Sequence, residues 1–171
     1  MSIKEIQTIL TQIGVDIGKV DGLTGRKTVD GIKEFQKIFG LQVDGIVGKN
    51  TIDVLQKAKK ITHFKLKEFG CRHCGQVKLD INLLLKLEEL RELTGALIIN
   101  SGYRCPTHNK NVGGASRSQH LKGTAADLRG VNMKPNQVHR HADKIFSNGG
   151  VGKYKTFTHV DVRGTRSRWN G

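Results

Sequence analysis

One octapeptide occurs twice in this chain, and no other feature limits its fold as strongly. Asp21-Gly22-Leu23-Thr24-Gly25-Arg26-Lys27-Thr28 returns as Asp44-Gly45-Ile46-Val47-Gly48-Lys49-Asn50-Thr51, a D-G-x-x-G-x-[KN]-T pattern offset by 23 residues. Asp-Gly makes a turn, the second Gly frees the backbone, and Thr28 or Thr51 is placed to N-cap the next helix. Helical apolar spacing comes after each copy: Val29, Ile32, Phe35 and Phe39 after the first, Ile52, Val54 and Leu55 after the second. Ile3, Ile6, Leu10 and Ile13 give an opening helix with the same period. Residues 1–58 therefore read as a three-helix domain with two similar turns.

The polar, basic stretch from Lys57 to Thr62 reads as a linker, and the texture changes after it. Leu79 to Leu93 reads as an amphipathic helix that starts near Asp80 and ends at Thr94-Gly95. Ala96 to Asn100 is a short apolar run of strand length. A Gly/Ser/Asn-rich loop covers Asn109 to Ser118. Small residues from Gly123 to Leu128 read as a strand, Pro135 to Phe146 as a helix, and Thr156 to Val162 as a strand alternating with period two. The predicted class is α+β: a helical domain at 1–58, then a domain at 63–171 with a small, mostly antiparallel sheet.

Charge separates the halves. The 171 residues carry 29 Lys+Arg against 15 Asp+Glu, a net +14. Counted along the sequence, residues 1–62 hold 10 basic and 7 acidic side chains, or +3, and residues 63–171 hold 19 and 8, or +11. Such an excess suits an anionic partner. Aromatics are only 5%, and no recognition helix or stacking motif accompanies the charge, which argues against nucleic acid. No apolar run is long enough to span a bilayer, and the N-terminus lacks the cleavage pattern of a signal peptide. Three cysteines are too few and odd in number for a disulfide framework, and fit synthesis in a reducing cytosol.

The sharpest chemical signal is Ser118-Gln119-His120-Leu121-Lys122-Gly123-Thr124-Ala125-Ala126-Asp127, with His159 32 residues beyond Asp127. Two imidazoles and a carboxylate suit zinc, and three protein ligands with an open fourth position are the arrangement of catalytic zinc. His159 and Asp161 point to one face of their strand, Val160 and Val162 to the other. Polar groups on short strands among small residues are costly to bury without a partner.

Other candidates are weaker. Cys71 and Cys74 have metal-ligand spacing, but a second C-x-x-C is missing. A structural zinc site would need Cys105, His63 or His73; free thiols or one disulfide are the alternatives. His139 and His141, at i and i+2, do not face one another on a helix and read as surface residues. His108 reads as a loop residue. Lys153, Lys155, Arg163, Arg166 and Arg168 read first as a solvated face and second as a surface for an anionic polymer.

The segments SGYRCPTHN, GGASRSQHLKGTAADL and FTHVDVRG together resemble the family of zinc D-Ala-D-Ala carboxypeptidases and L-alanyl-D-glutamate endopeptidases that act on peptidoglycan. Residues 1–58 resemble the peptidoglycan-binding domain often found beside such enzymes, through the two turns and the intervening I-x-x-F-Q-x-x-x-G-L. The resemblance implies one zinc ion on His120, Asp127 and His159, and hydrolysis of a peptide bond by a zinc-activated water. It implies that Arg104 stabilises the developing oxyanion or engages a substrate carboxylate, and that Ser118 touches substrate or simply forms the turn. Many members have a carboxylate three residues before the last His ligand, where this chain has Thr156; others have a His two before, where it has Phe157. Asp161 is then left as general base or as the partner that orients a zinc imidazole.

These readings combine into a monomeric two-domain cell-wall hydrolase with peptidoglycan as its partner. With no export signal visible, the expectation is a phage or prophage endolysin, made in the bacterial cytoplasm and released to the wall with help from a holin, or a bacterial enzyme exported by another route. The rival reading is a non-catalytic wall-binding protein with a degenerate metal site.

Overall fold

The structure, a computed structural model, describes residues 1–171. It divides into two compact units, Met1–Lys67 and Glu68–Gly171. The division falls later than the Lys57–Thr62 linker expected from composition. Ile61 and Phe64 are fully buried, and the Leu66 amide donates to the Ile13 carbonyl, so this stretch is packed as part of the first unit.

The first unit has three helices, α1 (Ile3–Gln12), α2 (Arg26–Ile38) and α3 (Lys49–Ala58). Helix α1 opens with a capping box: the Ser2 hydroxyl accepts from the Glu5 amide, and the Glu5 carboxylate accepts from the Ser2 amide. Ile6, Ile9, Leu10, Ile32, Phe35 and Leu55 form its core. The repeated turns do not end in threonine caps. Gly25 and Gly48 hold the N-cap positions, and Thr28 and Thr51 lie one turn inside α2 and α3, buried. A glutamine from the preceding helix is what closes each turn. Gln7 Nε2 donates to Asp21 Oδ1 (3.0 Å), the Leu23 carbonyl (3.0 Å) and Thr28 Oγ1 (3.1 Å), and Gln7 Oε1 accepts from the Gly22 amide (2.7 Å). Gln36 repeats the pattern with Asp44 Oδ1 (2.9 Å), the Ile46 carbonyl (2.9 Å), Thr51 Oγ1 (3.4 Å) and the Gly45 amide (2.9 Å). The octapeptide is thus two halves of a buried amide network, which is why it recurs with Asp, Gly and Thr in register.

The second unit is α+β. Its elements are α4 (Ile81–Thr94), β1 (Leu97–Ser101), α5 (Pro106–Asn111), β2 (Ala125–Gly130), α6 (Pro135–Ile145), β3 (Gly150–Lys153), β4 (Thr158–Asp161) and β5 (Ser167–Asn170). The five strands form one sheet in the order β1-β2-β4-β3-β5, antiparallel except for the β3–β5 pair. Asp80 caps α4 through the Asn82 amide, and Gly95 ends it at φ 73°. Helix α4 is less one-sided than an amphipathic surface helix. Leu83, Leu84, Leu87 and Leu90 are fully buried, and Ile81 and Thr94 are nearly so, because the helix is enclosed on more than one face. Val138, Ala142 and Phe146 at α6 are buried with Ala126, Leu128, Val151 and Val160, the residues that alternate to one face of β2, β3 and β4. The other face of those strands carries Asp127, His159 and Asp161.

Three elements lie outside the sequence expectation. Helix α5 has loop-like composition, β3 is Gly-Val-Gly-Lys, and β5 lacks alternation. The basic C-terminal run is also not a plain solvated face. Arg168 donates to the Asp143 carboxylate and to the carbonyls of Asp143, Phe146 and Gly149, tying β5 to the end of α6. Arg163 pairs with Asp161.

Candidate metal centre and cleft

Strand register assembles the site. Asp127 on β2 lies opposite His159 on β4, His159 opposite Gly152 on β3, and Gly152 opposite Trp169 on β5. Ser101 at the end of β1 pairs with Asp127. One transverse row of the sheet therefore carries Ser101, Asp127, His159 and Trp169, with Gly152 as a gap. A Cβ on Gly152 would stand 2.5 Å from the Trp169 ring, so only glycine admits the indole there. His120 comes from a 3-10 turn, Gln119–Lys122, that closes with Gly123 at φ 74°. A Cβ on Gly123 would lie 2.2 Å from the Lys78 carbonyl oxygen, so the small residue in that motif permits close backbone approach.

His120, Asp127 and His159 are all buried, and one potential ligand atom from each lies within 4.8 Å of the others. His120 Nε2 is 3.3 Å from His159 Nδ1 and 3.3 Å from Asp127 Oδ1, and His159 Nδ1 is 2.8 Å from the same oxygen. The outer nitrogens are already engaged. His120 Nδ1 is 2.7 Å from the Gly102 carbonyl, an acceptor, which makes Nδ1 the protonated nitrogen and leaves Nε2 as a lone pair. His159 Nε2 is 3.1 Å from Asp161 Oδ2, which does the same for Nδ1. Two lone pairs and a carboxylate oxygen then converge with no hydrogen among them. That donor set fits a divalent cation, and outer partners of this kind are what orient imidazole ligands.

Burial alone would push the Asp127 carboxyl up, but whenever a second proton sits on His120 or His159 the hydrogen bond and charge attraction it brings outweigh burial and hold Asp127 well below the usual carboxylate range, so a cation in that place finds the carboxylate ionised. Burial likewise opposes ionisation of Asp161, and His159, Arg163 and the Gly150 and Arg163 amides reverse that. Asp161 is 0% exposed. Its Oδ1 accepts from the Gly150 amide (3.0 Å), the Arg163 amide (3.1 Å) and Arg163 Nε (2.8 Å), and its Oδ2 accepts from His159 and Arg163. Of the two roles open to Asp161, this geometry favours orientation of His159, because a carboxylate so enclosed has no path to a substrate water.

The row borders a cleft of about 550 Å3. Arg104 lines it, donating from Nη2 to Asp127 Oδ2 (2.5 Å) and from Nε to Ser101 Oγ (2.9 Å). Ser118 also lines it, and its hydroxyl accepts from the His120 amide at 3.3 Å, so its turn-forming role is the visible one. Sequence reasoning missed the far wall. Tyr154 and Phe157 stack with centroids 4.2 Å apart, and Trp169 packs 5.1 Å from the His159 ring while donating to the Tyr154 hydroxyl. Arg163 covers the indole at 5.2 Å. The sole tryptophan was the signal available, but the residues around it lack any strand pattern. Among the residues lining the cleft, Asp127 is the only carboxylate. Thr156 is exposed.

Residues 49–161 match the model of the family described as Peptidase M15, and residues 2–55 match that of the "Putative peptidoglycan binding domain". A segment of 45 residues is 49% identical to the zinc D-Ala-D-Ala carboxypeptidase of Streptomyces albus G, covering 25% of this chain and 18% of that protein. The match thus spans less than a fifth of that relative's length.

Proposed function

Because the chain belongs to the peptidase M15 family and carries a peptidoglycan-binding domain at its N-terminus, we propose that it cuts a peptide bond in the stem or cross-link of peptidoglycan, as a D-Ala-D-Ala carboxypeptidase or an L-Ala-D-Glu endopeptidase. The observation that carries this reading is the convergence of His120 Nε2, His159 Nδ1 and Asp127 Oδ1, with both outer imidazole nitrogens tied to acceptors. His120, Asp127 and His159 would hold zinc, which when bound supplies a Lewis acid for the scissile carbonyl and for water. Asp161 keeps His159 in the tautomer that presents Nδ1. Arg104, braced by Ser101 and Asp127, offers a fixed guanidinium fork to an oxyanion or a substrate carboxylate. Tyr154, Phe157 and Trp169 wall the cleft and limit water on that side.

The helical unit supplies the second half of the function. Held on the wall polymer, it raises the local concentration of peptide around the cleft. The excess of +11 over residues 63–171 attracts peptidoglycan carboxylates and other anionic wall polymers. This combination suits an endolysin of a phage or prophage, made in the cytoplasm and released through a holin.

The test is digestion of purified cell walls followed by mass spectrometry of the muropeptides. Loss of one D-Ala marks a carboxypeptidase; separation of L-Ala from D-Glu marks an endopeptidase. His120→Ala is expected to abolish either product while wall binding persists. Activity that survives His120→Ala rejects the site. Zinc bound at His120, Asp127 and His159 with no amine released by the wild-type protein would favour a wall-binding protein without catalysis.

A further inference from the structure

A second cluster of metal-ligating side chains lies outside the cleft. Cys71, Cys74 and Cys105 are free, and their sulfur atoms lie within 4.8 Å of one another although Cys105 is 34 residues beyond Cys71. His108 Nδ1 is 3.3 Å from Cys71 Sγ. Neighbouring ligand atoms around tetrahedral zinc stand about 3.5–3.8 Å apart, given Zn–S of about 2.3 Å and Zn–N of about 2.0 Å. The spacing is thus already close to what one ion requires.

The backbone around the sulfurs is shaped for thiolates. Cys71 to Gly75 forms a tight turn, with the Gly75 amide on the Cys71 carbonyl and the Cys71 amide on the Gln76 carbonyl, both at 2.8 Å, and Gly75 at φ 70°. The Cys105 amide donates to Cys71 Sγ at 3.3 Å, and the His108 amide donates to Cys105 Sγ at 3.4 Å. Two N–H groups aimed at Cys71 and Cys105 favour negative charge on those sulfurs. A single disulfide would use two of these sulfurs and leave the third without a bond. A soft divalent cation uses all three.

We infer that Cys71, Cys74, Cys105 and His108 bind one zinc ion in a closed, four-ligand structural site. His73 Nδ1 is also near, 3.5 Å from Cys105 Sγ, but the His73 residue is exposed whereas His108 is half-buried and bonded through its amide to the cluster. The ion joins the 71–75 turn to the end of the Ser101–Cys105 segment. That segment carries Arg104 and the Gly102 carbonyl that fixes His120, and its Tyr103 amide is bonded to the Phe69 carbonyl. Gly102 has no room for a side chain, since a Cβ would lie 2.5 Å from the Phe69 oxygen. The site is therefore a staple that holds one wall of the cleft from behind.

Elemental analysis of the full-length protein, purified under reducing conditions and freed of loosely held metal, is expected to find two zinc ions per chain. His120→Ala should lower this to one, and Cys74→Ser, a change at an exposed position, should lower it to one by losing the other ion. Cobalt(II) loaded into the His120→Ala protein should show sulfur-to-cobalt charge transfer and the intense visible bands of a tetrahedral thiolate site. His108→Ala should weaken those bands, and His73→Ala should leave them unchanged. A wild-type content of one ion that His120→Ala abolishes overturns the inference, and so does a cobalt spectrum without thiolate bands. An intact mass two hydrogens below the reduced chain, marking a disulfide, overturns it as well. Loss of the ion in His73→Ala but not in His108→Ala overturns the choice of fourth ligand. The cobalt spectrum of the wild-type chain needs no substitution and reads the site even where a variant fails to fold.

Discussion

The two units each bury a polar network, and the networks differ in one respect. In the helical unit, Gln7 and Gln36 match every donor to an acceptor: amide hydrogens meet carboxylate, carbonyl and hydroxyl oxygens, and the amide oxygens meet backbone N–H groups. In the α+β unit, His120 Nε2, His159 Nδ1 and Asp127 Oδ1 converge as acceptors. The first network is complete and holds two turns in place. The second lacks a positive centre and is built to receive one. A buried polar cluster thus reads as architecture when its donors and acceptors balance, and as a binding site when they do not.

This contrast can be broken by substitution. The largest effect should come from Asp161→Asn. It removes the charge behind His159 and frees Arg163, and metal affinity should fall by roughly 10- to 100-fold. Competition against a metal chelator measures it, with activity restored by excess zinc. An unchanged affinity would mean that Asp161 does not orient the ligand. Gln36→Ala should act on stability instead. It leaves the Asp44 turn and Thr51 without their partner and should cost about 2 kcal/mol, read by denaturant unfolding of the full chain. Wall binding should weaken, while cleavage of a small soluble peptide by the folded protein is kept. Loss of that cleavage would show that the two networks are not independent.

The smallest effect belongs to Asp143. The hydrogen bond from Arg168 holds its carboxyl below the usual carboxylate range, with burial opposing and the charges of Arg168 and Arg166 assisting. A depressed acid contributes stability that is present above its unfolded pKa and lost as pH falls through the folded value. The group is 36% exposed on its side chain, so the contribution is at most about 1 kcal/mol. Asp143→Asn should therefore unfold more easily than wild type at neutral pH, and the gap should close in acid below the folded pKa. A gap that persists there would assign the effect to lost packing.

Much of the helical unit is legible in the sequence because local rules and tertiary packing agree. Ile6, Leu10, Ile32, Phe35 and Leu55 fall on helical spacing and are buried. Thr28 and Thr51 mislead, because a threonine after a turn looks like a cap from sequence. The glutamines that claim them lie 21 and 15 residues away. In the second unit, β2 and β4 show themselves by composition, but β3 and β5 do not. Gly150-Val-Gly-Lys153 and Ser167-Arg-Trp-Asn170 have no pattern of their own and become strands by pairing with each other and with β4. The aromatic wall of the cleft depends on that pairing and is hidden with it.

The sequence by itself determined the helical unit, the α+β class and the three residue types of the metal centre, since these arise from local periodicity, turn chemistry and the affinity of imidazole and carboxylate for metal. Only the tertiary structure decided that Asp161 is buried against His159 Nε2 and Arg163, that Trp169 enters through the gap at Gly152, and that Cys105 joins Cys71 and Cys74. Each of these depends on strand register or close backbone approach, and no short stretch of the chain encodes either.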